Sequence, residues 1–245
     1  MRPILLAATL LAGAFAMAPS ALAQAAPSEV DRHKACIIKI DTDAKGAYED
    51  ALQWMTASGD RPAARHCAAL ALIELGQPAE GAIRLEDLAN AGDSGSIDER
   101  GVYLAQAGNA WLIARNADAA IVALTNAMKL KQNDSELLKD RARAFIMKKE
   151  WEDAGADLNA ANNLAPRDDE ALRLRAGVLK ELKRYDEAWG DISTATAIAP
   201  TEVKNVVVRG DIRVAIAKAG LPDPIDKAVS SQPDIVRPNI VGAGN

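Results

Sequence analysis

Four side chains with the chemistry to do work lie toward the N-terminal end: His33, Cys36, His66 and Cys67, which are both of the chain's histidines and both of its cysteines. Two uses are open to them. In an oxidising compartment the two thiols pair as a disulfide. Alternatively, four soft ligands hold a zinc or copper ion, or a thiol reacts with help from a histidine. Adjacent residues on a helix project about 100° apart, so His66 and Cys67 do not easily face one metal, and they form a poor nucleophile–base pair. The expectation is therefore a Cys36–Cys67 disulfide, with no metal and no cofactor. The remaining sequence carries no glycine-rich phosphate loop, no nucleophile elbow and no metalloprotease helix motif, and no enzyme activity is expected. Asp157 and Asp191 recur 34 residues apart and read as solvated helix faces.

The elements that must position these groups show themselves as a repeat. Residues 135–168 and 169–202 align at a shift of 34. Leu138 answers Leu172, Arg141 answers Arg175, Ala142 answers Ala176, Trp151 answers Tyr185, Ala154 answers Ala188 and Ala161 answers Ala195, and Ala165-Pro166 and Ala199-Pro200 close the two blocks. With less fidelity the frame extends to 101–134, through Leu104, Gly108, Trp111, Ala120, Leu124 and Ala127, and to 62–95, through Ala69, Leu72, Gly81, Leu85 and Leu88. Five extra residues, Ser96 to Arg100, follow Gly92, Asp93, Ser94 and Gly95 and predict a longer loop there.

Apolar residues in each unit recur at three- and four-residue steps, which predicts two amphipathic helices joined by a turn. Gly108, Ala142, Ala176 and Gly210 supply small residues where the paired helix comes close, and Pro166 and Pro200 stop one unit before the next. One pair cannot bury its apolar face, so neighbours must stack. The organisation expected is a leader over 1–23, a degenerate helix pair over 24–61 and four repeats over 62–202 (62–95, 101–134, 135–168 and 169–202). A closing helix over 203–220 and an extended tail over 221–245 complete it. The fold class is all-α: a right-handed α-solenoid of stacked antiparallel helix pairs. Cys36 and Cys67, 31 residues apart, then fall on the first helices of adjacent pairs, close enough to bond. Arg141, Arg175 and Arg209 form a ladder beside the packed stripe, each stem over apolar neighbours and each guanidinium paired to an acid or a helix end.

Met1-Arg2, an uncharged apolar run from Ile4 to Met17 and the tripeptide Ala21-Leu22-Ala23 have the form of an export signal cut after Ala23. A periplasmic location is the expectation, with no membrane insertion after cleavage. The 34 acids outnumber the 29 basic residues, which disfavours nucleic acid and anionic membrane surfaces as partners.

These signature positions resemble the tetratricopeptide repeat family, whose units are helix–turn–helix pairs of 34 residues. The resemblance covers about residues 62–220 and is most specific over 101–202. It departs from the pattern in 62–95, where Pro78 takes the aromatic place and Asp93 the terminal proline place. The stretch RHCAALALIELGQPAEGAIRLEDLA is also similar to a type of exported bacterial repeat protein with paired N-terminal cysteines. The family resemblance implies a concave groove lined by the first helix of each pair. Its candidate partner-binding residues are His66, Asn109, Leu112, Lys139, Arg143, Ile146, Arg173 and Lys180, a mixed basic and apolar set suited to an extended peptide or an acidic segment. The function expected is a non-catalytic scaffold holding an unknown protein or peptide. The alternatives are a thiol- or metal-dependent protein using His33, Cys36, His66 and Cys67, and a structural subunit of a cell-envelope complex.

Overall fold

The computed structural model describes residues 27–59 and 61–225. The leader expected over 1–23 and all but the first five residues of the expected tail lie outside the described residues. Within them the chain forms helices and turns: α1 (Glu29–Ser58), α2 (Pro62–Glu74), α3 (Pro78–Asn90), α4 (Ile97–Ile113), α5 (Ala117–Leu130), α6 (Ser135–Lys148), α7 (Trp151–Leu164), α8 (Asp169–Glu181), α9 (Tyr185–Ile198) and α10 (Val203–Lys218). Each helix packs on its sequence neighbour, and α4 also packs on α6 and α8 on α10. The chain is therefore a one-dimensional stack of pairs, with α2, α4, α6, α8 and α10 as the first helices and α3, α5, α7 and α9 as the second.

The α1 segment is itself a pair. Its backbone leaves helical geometry at Asp43 (φ −152°, ψ 71°), whose carboxylate accepts the Gly46 amide at 2.9 Å and so caps a second helix. A straight helix would separate Arg32 from Trp54 by roughly 33 Å. The guanidinium instead lies 4.7 Å from the indole centroid, and Lys39 bonds Asp50 at 2.8 Å. The chain has reversed direction. Ala47, Ala51 and Trp54, which share one face of the second arm, are all buried.

Turns between paired helices follow one design. Gly76, Arg115, Lys149 and Lys183 all have positive φ, and the amide after each reaches back to a carbonyl five residues upstream: Gln77 to Leu72, Asn116 to Trp111, Glu150 to Phe145 and Arg184 to Leu179. These bonds satisfy the last carbonyls of the helix. At the other ends Asp134 and Asp168 accept the amides two and three residues on and start α6 and α8. The five extra residues at Ser96–Arg100 mostly lengthen α4 rather than the loop: Ser96 and Glu99 form a reciprocal capping box, and helix begins at Ile97. The loop before it is held by Ser94, buried and bonded at 2.6 Å to the Arg100 side chain.

The core is aliphatic and alanine-rich, running along the seam between first and second helices through Leu85, Leu88, Leu124, Leu158 and Ile192, none more than 1% exposed. Gly108 lies beneath Leu124, in the space a Cβ would fill. Gly210 breaks this pattern. A Cβ there would meet nothing within 4 Å, because no described helix packs where a second helix would lie.

Candidate interaction surface

First helices approach one another closely enough to pack directly at α4/α6 and α8/α10, whereas no two second helices pack as closely. The face these first helices share is therefore the candidate for the inner wall that the family resemblance implies. The residues expected on that wall lie on α2, α4, α6 and α8. Asn109 is exposed, Leu112, Ile146 and Lys180 are half-buried, and His66 and Lys139 are buried.

The cations expected to be free for a partner are already engaged. Lys139 is 4% exposed and its ammonium lies 2.6 Å from Asp168, 2.8 Å from Glu136 and 3.6 Å from Glu170. Burial opposes its charge, but hydrogen bonds to Asp168 and Glu136 outweigh that and raise its pKa. Arg143 bonds Asp140 on its own helix and reaches Glu170 on α8 at 2.9 Å, and Arg173 meets the same Glu170 at 3.1 Å. Asp140 is buried and also hydrogen-bonded to Asn109, and burial raises its carboxyl pKa although Arg143 and Asn109 pull it down. Three cations and four acids thus tie α6 to α8, with Asn109 joining α4 through Asp140, and the basic groove read from the sequence is electrically neutralised. Glu136, Asp140, Asp168 and Glu170 were missed as site residues. The capping role of Asp168 and the i,i+3 spacing of Asp140 and Arg143 were the available signals. Lys180 lies outside this network, 3.0 Å from Glu181.

Arg141 and Arg175 lie between helices, as their ladder spacing suggested, and their acid partners are the two aspartates read as solvated. Arg141 grips Asp157 at 2.7 and 2.8 Å and also donates to Thr125 at 3.1 Å. Arg175 grips Asp191 at 2.6 and 2.8 Å and donates to Asn159 at 3.1 Å. Each guanidinium links the second helix of its own unit to that of the unit before. Asp157 is buried rather than solvated, and Asp191 is half-buried. The bidentate bond to an acid raises the pKa of both arginines, so the charges persist. Arg209, the third rung, stacks over Trp189 at 5.1 Å instead.

Cys36, on the first arm of α1, and Cys67, on α2, form a disulfide with Cα atoms 6.1 Å apart, on first helices of adjacent pairs. The histidines turn away to a separate relay. His66 Nε2–H donates to Gln106 Oε1 at 2.6 Å, which leaves Nδ1 to accept from His33 Nε2–H at 2.9 Å. Burial holds the His66 pKa down at about 4, with the Gln106 bond opposing it and His33 adding to it. The relay joins α1, α2 and α4, and the Tyr103 ring packs 4.9 Å from His66. Sequence reasoning missed Gln106 and Tyr103, which have no repeat counterparts of their type.

No family model matches the chain, and no curated protein matches its sequence. Solved structures do match its fold. YrrB, described as a TPR protein with an unusual peptide-binding site, superposes with a TM-score of 0.60 at 13% identity, over 75% of this chain and 92% of its own. MamA does so with a TM-score of 0.59 at 15% identity, over 68% and 94% of the two chains. A thermophilic TPR protein of Thermus thermophilus gives 0.53 at 16% identity, over 76% and 98%. The chain is a tetratricopeptide-type α-solenoid.

Proposed function

We propose that this chain is an exported, non-catalytic scaffold that holds a peptide segment or protein partner along the inner wall of its first helices. The observation that supports it is the direct packing of α4 on α6, the helices that carry Asn109, Leu112 and Ile146; Lys180, on α8, would continue the same wall. YrrB, which shares the fold, is described as having a peptide-binding site. The periplasmic assignment rests on the N-terminal sequence, and an oxidising compartment suits the Cys36–Cys67 pair.

The internal ion pairs refine the partner's chemistry. A purely acidic tail would have to displace Glu170 and Asp168 from cations they already satisfy. A segment that places apolar side chains over Leu112 and Ile146 and polar groups at Asn109 and Lys180 need not. Affinity in this reading comes from apolar contact and hydrogen bonding, and it depends weakly on salt.

Charge reversal at Lys139, Arg143 or Arg173 would break the network and confuse lost folding with lost binding. The test is Leu112→Lys with Ile146→Lys, on half-buried wall positions, followed by affinity capture from cross-linked envelopes. Loss of the captured partner with helicity retained supports the inner wall. Undiminished capture rejects it.

A further inference from the structure

We propose that the outer face of α10 is a second docking site, built to receive one amphipathic helix of a partner protein that carries a small-x-x-acid-aliphatic pattern. Val206, Arg209 and Gly210 stand 34 residues after Leu172, Arg175 and Ala176 and 68 after Leu138, Arg141 and Ala142. In those earlier units this face is covered by a second helix. Ala142 and Ala176 are wholly buried, and Gly108, at the same place in α4, lies beneath Leu124. The covering helices share a pattern: Ala154, Asp157 and Leu158 on α7, and Ala188, Asp191 and Ile192 on α9, with each Asp taken by the arginine of the helix it covers.

Among the described residues nothing covers the same reception surface on α10. Gly210 is exposed, with nothing within 4 Å of where a Cβ would stand, and Val203, Val206, Val207 and Val214 are all more than half exposed. A groove of about 410 Å³ runs past Gly210, Val214, Ala217 and Leu221, and the Arg213–Asp223 ion pair also lines it. Among the described residues Arg209 has no acidic partner and rests on the Trp189 ring. An arginine beside a small residue in an apolar stripe is what Asp157 and Asp191 complement elsewhere in the chain, so charge and shape specify the occupant together. The copies of the pattern on α7 and α9 are already packed within the stack, which points to a helix from a different protein rather than a second copy of this one. The site is at the end of the stack, apart from the inner wall, and stands independently of the groove.

The test uses the full chain and a fluorescent, helix-stapled peptide of the α9 sequence, residues 185–198. Binding to the wild-type chain is expected, weakened roughly tenfold or more by Gly210→Leu, which fills the notch, and by Arg209→Glu. The same peptide with Asp191→Arg should recover binding to the Arg209→Glu chain. Gly210 is exposed and an added side chain there meets open space, so Gly210→Leu should leave the circular-dichroism melt intact. No binding to wild type, or equal binding to Gly210→Leu, overturns the proposal. Binding that appears only after limited proteolysis beyond residue 225 overturns it in favour of the chain's own tail. A wild-type dimer in light scattering that Gly210→Leu dissociates overturns it in favour of a second copy.

Discussion

Arg175 on α8 and Asp191 on α9 meet through two parallel hydrogen bonds of 2.6 and 2.8 Å, and 34 residues earlier Arg141 and Asp157 meet in the same way. Each pair joins the first and second helices of one unit and reaches a side chain on the second helix of the unit before, so removing one partner strands the other between helices. Asp191→Asn should lower stability by about 2 kcal/mol, less than for a fully buried pair because both partners keep some contact with water. Arg175→Met with Asp191→Leu should recover most of the loss. Urea midpoints of the three chains check this; a neutral Asp191→Asn refutes the structural role.

Glycines divide by what surrounds them. At Gly81 an added Cβ would lie 2.5 Å from Ile73 and 2.8 Å from the Ala69 carbonyl, and at Gly108 it would enter Leu124. Gly81→Ala and Gly108→Ala should each destabilise by about 1–3 kcal/mol through overpacking. Gly190→Ala, mid-helix with nothing within 4 Å, should stabilise by about 0.5–1 kcal/mol. Thermal melts of the three variants read the opposite signs.

Lys149 and Lys183 hold the left-handed positions that end α6 and α8, with φ of 61° and 60°. Gly76 holds the equivalent turn without strain. Lys183→Gly should raise stability by about 1 kcal/mol, since glycine adopts this region freely. A lowered denaturation midpoint would mean that the lysine makes a compensating contact.

The His33–His66–Gln106 relay gives stability a pH dependence. The folded His66 pKa, about 4, lies below the ordinary 6.5, so the unfolded chain takes up its proton first as pH falls. The relay's contribution is complete above about pH 6.5 and is lost between there and pH 4, at no more than about 1.4 kcal/mol per pH unit. His66→Gln should flatten the melting temperature across that window. An unchanged slope would mean that other groups control it.

Paired cysteines leave no thiol to react. Titration of the native, metal-free protein should find no free thiol, and two would refute the disulfide. Reduction should remove about 3–4 kcal/mol by the loop-closure estimate, with lost amide-exchange protection concentrated in α1.

Much of this fold was legible because a solenoid repeats its physics. The same small, apolar and arginine positions recur at one spacing, so two clear units specify the other contacts. The alternation of helix and turn from 62 to 220 and the Cys36–Cys67 proximity followed from that spacing alone. What did not repeat was hidden. A helix pair is expected over 24–61, but not where it turns: Asp43 reverses the chain with one residue, and sequence offers no stronger sign of the place than a carboxylate three residues before Gly46. The inner wall was misjudged as basic because periodicity places Lys139 and Arg143 on a face but does not say that Asp168 and Glu170, from the next unit, arrive to neutralise them. Asp157 and Asp191 were read as solvated for the same reason: their arginine partners lie 16 residues away, across a helix hairpin. Pairing between helices is a tertiary fact.

The most direct measurement places a photo-crosslinking amino acid at Leu112 on the inner wall and, in a separate chain, at the exposed Val122 on α5. Both are irradiated in intact cells. The account predicts a discrete partner adduct from Leu112 and none of matching size from Val122. An adduct from Val122 alone would place the partner on the outer surface and contradict it.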